Sequence, residues 1–190
     1  WFYVRTWKLR VTDLMQGPVY GIFTDENISN DSLLPMFSYD ELFGTVLNRF
    51  MVQAVEGYPL TVYGKGGQTR GYLNIKDTLQ CVRLSLENPA EKGELRIFNQ
   101  FTETFSVNQL ADLVKKSAKR LSLDVDINHM PNPRIELEDH YYNPTHTGLN
   151  ELGLKPSLIS EDIVCKIMEF IIRNKQSIEK EQIYRGTKWA

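Results

Sequence analysis

Residues 60–77 constrain the fold of this chain more than any other part of its sequence. An apolar strand pattern at residues 60–63 is followed by three glycines and then by a second strand pattern at residues 70–75. Glycines reach turn conformations that other residues avoid, so they predict a turn between the two strands. Asn74 and Asp77 can each cap a following helix. This stretch therefore predicts a strand, a turn, a second strand and a helix.

The rest of the chain continues this alternation of strands and helices, which is typical of an α/β protein. Further strands are predicted at residues 9–16, 94–99 and 124–129, and a long loop, a candidate lid, at residues 24–38. The helix after Asp77 carries an apolar stripe of Leu79, Val82 and Leu86. Other helix starts or ends are predicted at residues 1–8 (the last turns of a helix), at Ser38 with Glu41, at Ser106 with Gln109, at Asn143 with Pro144, and at Ser160.

Composition narrows the possible partners. The net charge of −2 argues against nucleic acid. We expect no membrane span, because no apolar run is long enough, and no signal peptide. Cys81 and Cys165 lie in helical apolar patterns, which predicts buried thiols in a reducing compartment rather than a disulfide or a metal pair. The three histidines lack metal-ligand spacing, so we expect no metal. These features favour the cytoplasm, or the plastid stroma in a photosynthetic eukaryote.

Two arginines beside predicted turns are candidate phosphate contacts. Arg70 follows the glycine turn and shares a strand face with Tyr72, whereas Arg134 lies in a proline-bracketed loop. Two arginines can grip a pyrophosphate bidentately from two sides, which points to a nucleotide-linked substrate. The alternatives are a solvated arginine on a hairpin for Arg70 and surface pairing with the acidic residues that follow for Arg134.

Polar residues close two of the predicted strands. Gln16 ends the first strand, and Asn99 and Gln100 end another. Open α/β sheets bind ligands at the carboxyl ends of their strands, although a plain strand terminus is the alternative. Tyr141 and Tyr142 suit stacking or hydrogen bonding, and a core role for one of them is the alternative. We find no Ser/His/Asp or Cys/His arrangement and assign no catalytic residue within the chain.

Several segments resemble the extended short-chain dehydrogenase/reductase family, namely residues 16–21, 43–50 and 60–77. More narrowly, three segments resemble the branch of that family that joins sulfite to UDP-glucose, namely residues 98–103, 131–134 and 140–143. The similarity covers nearly the whole chain. The ending at residues 152–156 is shared more widely among nucleotide-sugar epimerases and dehydratases.

The resemblance implies an α/β fold in which the carboxyl-terminal part of a Rossmann-type parallel sheet joins a smaller α/β substrate-binding domain. Residues 1–25 would end the NAD-binding domain. Residues 26–190 would mainly form the UDP-sugar domain, with about 71–100 returning to the Rossmann domain. With NAD, the sugar of UDP-glucose would be oxidised at C4 and would lose water across C5 and C6. Sulfite would then add at C6, and the C4 ketone would be reduced.

The resemblance also implies roles for single residues. Gln16 and Val19 would lie beside the cofactor, with Val19 against the nicotinamide. Arg70 and Arg134 would neutralise the pyrophosphate. The full set of implied substrate-binding residues is Gln16, Thr61, Tyr63, Gln68, Arg70, Asn99, Gln100, Arg134, Tyr141 and Tyr142.

The chain starts at Trp1, without methionine, and its matches begin after the family's Gly-rich loop, catalytic threonine and Tyr-x-x-x-Lys pair. We therefore expect the carboxyl-terminal part of a longer enzyme, inactive alone, with the missing Rossmann half as partner and a homodimer as the full assembly. Tyr72 with Lys76 and Tyr184 with Lys188 show the four-residue spacing, but a strand and a chain end argue against either pair. Two other readings remain open: a UDP-sugar 4-epimerase or dehydratase, and a non-catalytic nucleotide-sugar binding module.

Overall fold

A computed structural model describes residues 1–40, 42–132 and 142–183. The strands are β1 (Val11–Gln16), β2 (Val19–Tyr20), β3 (Leu60–Tyr63), β4 (Thr69–Asn74), β5 (Leu95–Gln100), β6 (Glu103–Ser106) and β7 (Ile127–Met130). The helices are α1 (Phe2–Trp7), α2 (Val46–Glu56), α3 (Ile75–Glu87), α4 (Val107–Arg120), α5 (Gly148–Glu151), α6 (Glu161–Arg173) and α7 (Lys180–Ile183). The predicted alternation of strands and helices is confirmed.

Most of the strand pairings are parallel. β1 pairs with β5, which sets Gln16 opposite Gln100. β3 pairs with β7. β4 lies between β2, which is parallel to it, and β6, which is antiparallel. The sequence pattern does not predict β2, which has only two residues, or β6, in which Phe105 is the single apolar residue.

The main core lies where α2, α4 and α6 pack against one another and against β3. Each element contributes its apolar face, in keeping with helical spacing on the helices and alternation on the strand. The most deeply buried members include Leu47, Phe50, Met51, Leu60, Val62, Leu110, Val114, Val164, Ile167 and Met168.

A smaller core lies under α3, where Cys81 and Leu84 pack with Leu149 and Leu154. Both cysteines of the chain are free and buried, as predicted. The predicted stripe of Leu79, Val82 and Leu86 faces solvent instead, with exposed fractions of 49%, 44% and 77%. The apolar stripe of α3 therefore lies at the surface of the described part of the chain.

One face of the two-stranded sheet of β1 and β5 is uncovered in the same way, whereas Leu14 and Phe98 on the other face pack against the smaller core. Met15 and Ile97 are 54% and 52% exposed. Sheets built of parallel strands are normally covered on both faces. The strand predicted at residues 9–16 is therefore present as β1, but its residues are half-buried or exposed instead of buried.

Three helix starts follow the predicted caps. The Asn74 side chain accepts a hydrogen bond from the Lys76 N–H at the start of α3. Ser106 and Gln109 form a capping box at the start of α4. Ser160 accepts from the Ile163 N–H at the start of α6. Such caps satisfy N–H groups that have no partner within the helix.

Two other predicted helix starts are wrong. α2 begins at Val46, and its cap is Thr45 rather than Ser38. The Asp40 carboxylate accepts from the N–H groups of Leu42 and Phe43, which makes a local turn before the helix. No helix starts at Asn143, because α5 begins at Gly148 after Thr147.

Residues 24–38 form a loop with one 3-10 turn at Asp31–Leu33. Its start is held locally: Asn27 Oδ1 accepts from the Thr24 N–H at 2.7 Å, and Asn27 Nδ2 donates to the Ile22 carbonyl at 2.7 Å. Most residues from 28 to 36 are exposed, with Met36 at 89%. Leu34 and Phe37 pack against the main core, and the Ser38 carbonyl accepts from Asn48 Nδ2 at 2.9 Å, so the loop is tied to the core at both ends.

Candidate functional site

The carboxyl ends of β1 and β5 bring three of the predicted site residues together. Gln16 and Gln100 are register partners, and the side-chain Nε2 of each lies 3.5 Å from an oxygen of Thr78 in the first turn of α3. Gln100 is buried, whereas Gln16 is exposed. Asn99 Nδ2 donates to the Thr145 carbonyl at 2.7 Å. Asn99 thus ties the segment after residue 142 to the end of β5.

The Phe101 ring lies beside these strand ends. A Cβ added at Gly71 would lie 2.5 Å from the Phe101 ring, and a Cβ added at Gly17 would lie 2.6 Å from the Gly71 carbonyl oxygen. Only glycines permit this approach of backbone to ring. The Phe101 ring also contacts the His146 imidazole, with ring centres 4.4 Å apart, and the Tyr142 ring at 6.0 Å. Tyr142 therefore belongs to an aromatic cluster at the strand ends.

Arg70 and Tyr72 of β4 share one face, as the alternation predicts. Burial raises the pKa of Tyr72 to about 12, while the Arg70 charge lowers it and Tyr142 raises it. The Tyr72 hydroxyl is thus electrostatically coupled to Arg70 and to Tyr142 of the aromatic cluster. Arg70 is half-buried, and its Nη1 donates to its neighbour's carbonyl, that of Thr69, at 2.9 Å.

The glycine turn between β3 and β4 is held by its neighbours. Asn108, in the first turn of α4, donates from Nδ2 to the Lys65 carbonyl at 2.8 Å and from its backbone N–H to the Gly66 carbonyl at 3.0 Å. The Nδ1 of His129 lies 3.0 Å from the Gly64 carbonyl oxygen. Gly66 has φ +73. The turn is thus a fixed part of the structure.

Gln68 closes this turn and is only 8% exposed. Its side-chain Oε1 is buried and accepts no hydrogen bond from any described residue. A buried acceptor without a donor is costly, and such atoms often face a ligand or an ordered water. This buried acceptor is a structural reason to retain Gln68 among the candidate ligand contacts.

Thr61 and Tyr63 of β3 differ in their surroundings. Thr61 is buried, its N–H donates to Gln53 Oε1 at 3.0 Å, and its hydroxyl accepts from Gln53 Nε2 at 2.9 Å. The polar groups of Thr61 are thereby used within the protein. Tyr63 is half-buried at the carboxyl end of β3, and the Arg49 guanidinium lies 5.0 Å from its ring centre.

Sequence reasoning missed Arg49. The available signal was its position four residues before Gln53 in an otherwise apolar stretch of α2, which puts both polar side chains on one helix face. Arg49 Nη2 donates to the Thr61 carbonyl at 3.3 Å. The face of α2 that carries these two residues is therefore turned toward β3.

A second group of polar residues holds the chain after α5. Asp77 Oδ2 accepts from the Ser157 N–H at 2.8 Å, Glu103 Oε2 accepts from the Ile159 N–H at 2.6 Å, and the Tyr20 hydroxyl donates to the Ser157 carbonyl at 2.8 Å. Burial raises the pKa of both carboxyls, although the backbone N–H groups oppose it. Asp77 thus anchors residue 157 and does not cap α3.

Three of the predicted site residues have few or no described contacts. Val19 is a half-buried member of β2 and pairs with Leu73. Arg134 and Tyr141 lie outside the described residues.

In the described part of the chain, no three His, Cys, Asp or Glu side chains come together as metal ligands. None of its helices has the length and apolar character needed to cross a membrane.

Solved structures with the same fold are known. UDP-glucose 4-epimerase from Thermotoga maritima matches 93% of the chain and 50% of its own, at 21% identity and a TM-score of 0.66. A dTDP-glucose 4,6-dehydratase from Streptomyces venezuelae matches 94% and 48%, at 18% identity and a TM-score of 0.65. The chain therefore has the fold of a carboxyl-terminal part of an extended short-chain dehydrogenase/reductase, and the predicted fold class is confirmed.

Sequence comparison is more specific. The chloroplastic UDP-sulfoquinovose synthase of Spinacia oleracea is 52% identical over 188 residues, which is 99% of this chain. The UDP-sulfoquinovose synthase of Sulfolobus acidocaldarius is 47% identical over 184 residues. The chain is homologous to a carboxyl-terminal portion of UDP-sulfoquinovose synthases, and it spans 39% and 46% of the length of these two relatives. No protein-family model matches it.

Proposed function

We propose that this chain is the substrate-binding part of an NAD-dependent enzyme that forms UDP-sulfoquinovose from UDP-glucose and sulfite. The observation that carries the proposal is the 52% identity over 99% of the chain to a UDP-sulfoquinovose synthase. An Arabidopsis thaliana UDP-glucuronic acid decarboxylase is 29% identical over 60% of the chain. This difference in identity favours the sulfite-using reaction over another UDP-sugar reaction, and because both relatives are enzymes it is the enzyme reading, rather than a binding module, that they support.

The geometry supports a substrate lying from the β3–β4 turn to the ends of β1 and β5. Tyr63 and Gln68 would contact the nucleoside at the turn. Arg70 would neutralise the pyrophosphate, and Arg134, outside the described residues, would act from the other side. The sugar would lie against Gln16, Asn99, Gln100 and Tyr142, with Tyr141 as a further proposed contact.

NAD, when bound, would accept and return the hydride at C4 of the sugar. A dinucleotide pyrophosphate usually sits on a Gly-rich turn that leads from a strand into a helix. In the described residues, β4 enters α3 directly through Asn74, and the glycine turn joins two strands. The chain therefore fits only the edge of an NAD site, where Gln16 and Val19 would lie, and the remainder would come from another part of the enzyme.

The uncovered surfaces support a docking site for that part. The outer side of α3 with Leu79, Val82 and Leu86, together with the open sheet of β1 and β5, is an exposed apolar area. A Rossmann half would add parallel strands beside β1 and cover α3. The longer relatives have the additional length that such a half needs.

Sulfite would be the sulfur nucleophile at C6, and the complete enzyme would be a homodimer. Its location would be the cytoplasm, or the plastid stroma in a photosynthetic eukaryote, as the chloroplastic spinach relative suggests. The domain division at about residue 25, with residues 71–100 returning to the Rossmann part, stays a prediction.

The test is to combine the chain with a separately produced NAD-binding half and to supply UDP-glucose, sulfite and NAD. Mass spectrometry should detect UDP-sulfoquinovose only when both parts and sulfite are present. Leu86→Lys should weaken the association of the parts, whereas Ile172→Lys, at a 40% exposed apolar position on α6, should not. Turnover by the chain alone would refute the division of labour. A 4-epimer made equally well without sulfite would support the epimerase reading instead.

A further inference from the structure

A cation lies against the aromatic ring at the end of β3. The guanidinium carbon of Arg49 is 5.0 Å from the Tyr63 ring centre and 5.8 Å from that of Phe50. Arg49 Nη2 donates to the Thr61 carbonyl at 3.3 Å, so the guanidinium is attached to the strand that carries Tyr63. An arginine at this distance from a ring is attracted by the negative face of its π system.

The attachment of β3 to α2 does not depend on Arg49. Gln53 already holds Thr61 through two hydrogen bonds of 2.9 and 3.0 Å, and Leu60 and Val62 are fully buried in the main core. Arg49 adds to this attachment a contact with the Tyr63 ring, which Gln53 does not make.

The surroundings of Tyr63 indicate what this ring contact serves. Tyr63 begins the turn that ends at Gln68, whose buried Oε1 has no hydrogen-bond donor among the described residues. The same turn is held by Asn108 on one side and by His129 on the other. A fixed turn with an aromatic ring at its start and an unsatisfied acceptor at its end suits a planar ligand with N–H groups.

We propose that Arg49 is a positioning residue for the nucleoside end of the site: it fixes the Tyr63 ring in place for contact with the base, and it does not bind the phosphates. This inference rests on the proposed function, because it concerns the same nucleotide site. It separates two arginines by role, with Arg49 acting through Tyr63 and Arg70 acting on the pyrophosphate.

The test measures UDP affinity by calorimetry and uridine affinity by competition, in the two-part enzyme proposed above. Arg49→Met should weaken UDP and uridine by the same factor, roughly five- to thirty-fold. Arg49→Lys should recover most of the loss, because an ammonium can also lie on the ring and donate to the Thr61 carbonyl. Arg70→Met should weaken UDP far more than uridine. Arg120→Met, at a surface arginine at the end of α4 that pairs with Asp162, should change neither.

A double-mutant cycle separates positioning from mere folding. If Arg49 acts through Tyr63, Arg49→Met should have no further effect on affinity once Tyr63→Leu is present. The unfolding midpoint of Arg49→Lys should match that of the wild type. Loss of UDP affinity without loss of uridine affinity would overturn the inference, and so would unchanged affinity in Arg49→Met. A wild-type enzyme that binds neither ligand would refute the nucleotide site itself, and the proposed function with it.

Discussion

Gly71→Ala tests the packing on which the strand-end site depends. An added Cβ would lie 2.5, 2.6 and 2.9 Å from three atoms of the Phe101 ring, against 3.4–4 Å for an ordinary contact. The ring would have to move by about 1 Å to restore a normal contact. Phe101 is only 4% exposed, and His146 stacks on it at 4.4 Å. The movement is therefore opposed by a second aromatic side chain.

Overpacking of this kind typically costs about 1–3 kcal/mol. A glycine-to-alanine change without a clash would instead stabilise the chain by about 0.4–1 kcal/mol, through the entropy of the unfolded state. We expect Gly71→Ala to lower the free energy of unfolding by about 1–2 kcal/mol, measured by urea denaturation with circular dichroism. The two expectations differ in sign, so the measurement discriminates between them.

Phe101→Leu supplies the matched control. Leucine is smaller than phenylalanine and leaves room for the added methyl group, so Gly71→Ala should cost much less in the Phe101→Leu background. We expect a coupling free energy of about 1 kcal/mol or more between the two positions. If the two changes are additive, or if Gly71→Ala leaves the stability within about 0.5 kcal/mol of the wild type, the proposed clash is wrong.

Three other predictions concern pH, mobility and binding. Burial raises the pKa of Asp77, so its folded-state pKa lies above the unfolded value; the stability it contributes is present at low pH and is lost as pH rises through the folded pKa. Asp77→Asn should therefore flatten the fall in unfolding free energy as the pH rises above about 4, the ordinary pKa of an aspartate. Backbone amides of residues 24–38 should exchange hydrogen faster than those of α2, except at Thr24 and Asn27. Arg134→Ala should weaken UDP-glucose binding roughly tenfold or more, as measured by calorimetry.

Each of these predictions has a contrary outcome. A pH profile of Asp77→Asn that is parallel to the wild-type profile would show that Asp77 does not titrate with folding. Amides in residues 28–36 as protected as those of α2 would exclude a mobile lid. Unchanged UDP-glucose affinity in Arg134→Ala would remove Arg134 from the pyrophosphate contacts.

The sequence alone determined the local elements. The capping box of Ser106 and Gln109 and the caps at Asn74 and Ser160 could be predicted because each involves residues two or three positions apart. The strands on either side of the glycine turn were predictable for the same reason. The resemblance to the extended short-chain dehydrogenase/reductase family could also be recognised from the sequence, because each matching segment is a continuous run of residues. The predicted cap at Ser38 is wrong because a local turn at Asp40 competes with it. Residue spacing alone does not show which of the two forms.

Only the tertiary structure decided which residues meet at the site. Gly71 must be a glycine because of Phe101, thirty residues away, and the polar groups of Thr61 are taken up by Gln53 from another element. Arg49 reaches Tyr63 only because α2 packs against β3. Whether the apolar side of α3 is covered also depends on packing. A helical stripe shows that one face is apolar but not what covers it. Such pairings arise from the packing of whole elements, whereas sequence spacing reports only neighbours within a turn or two.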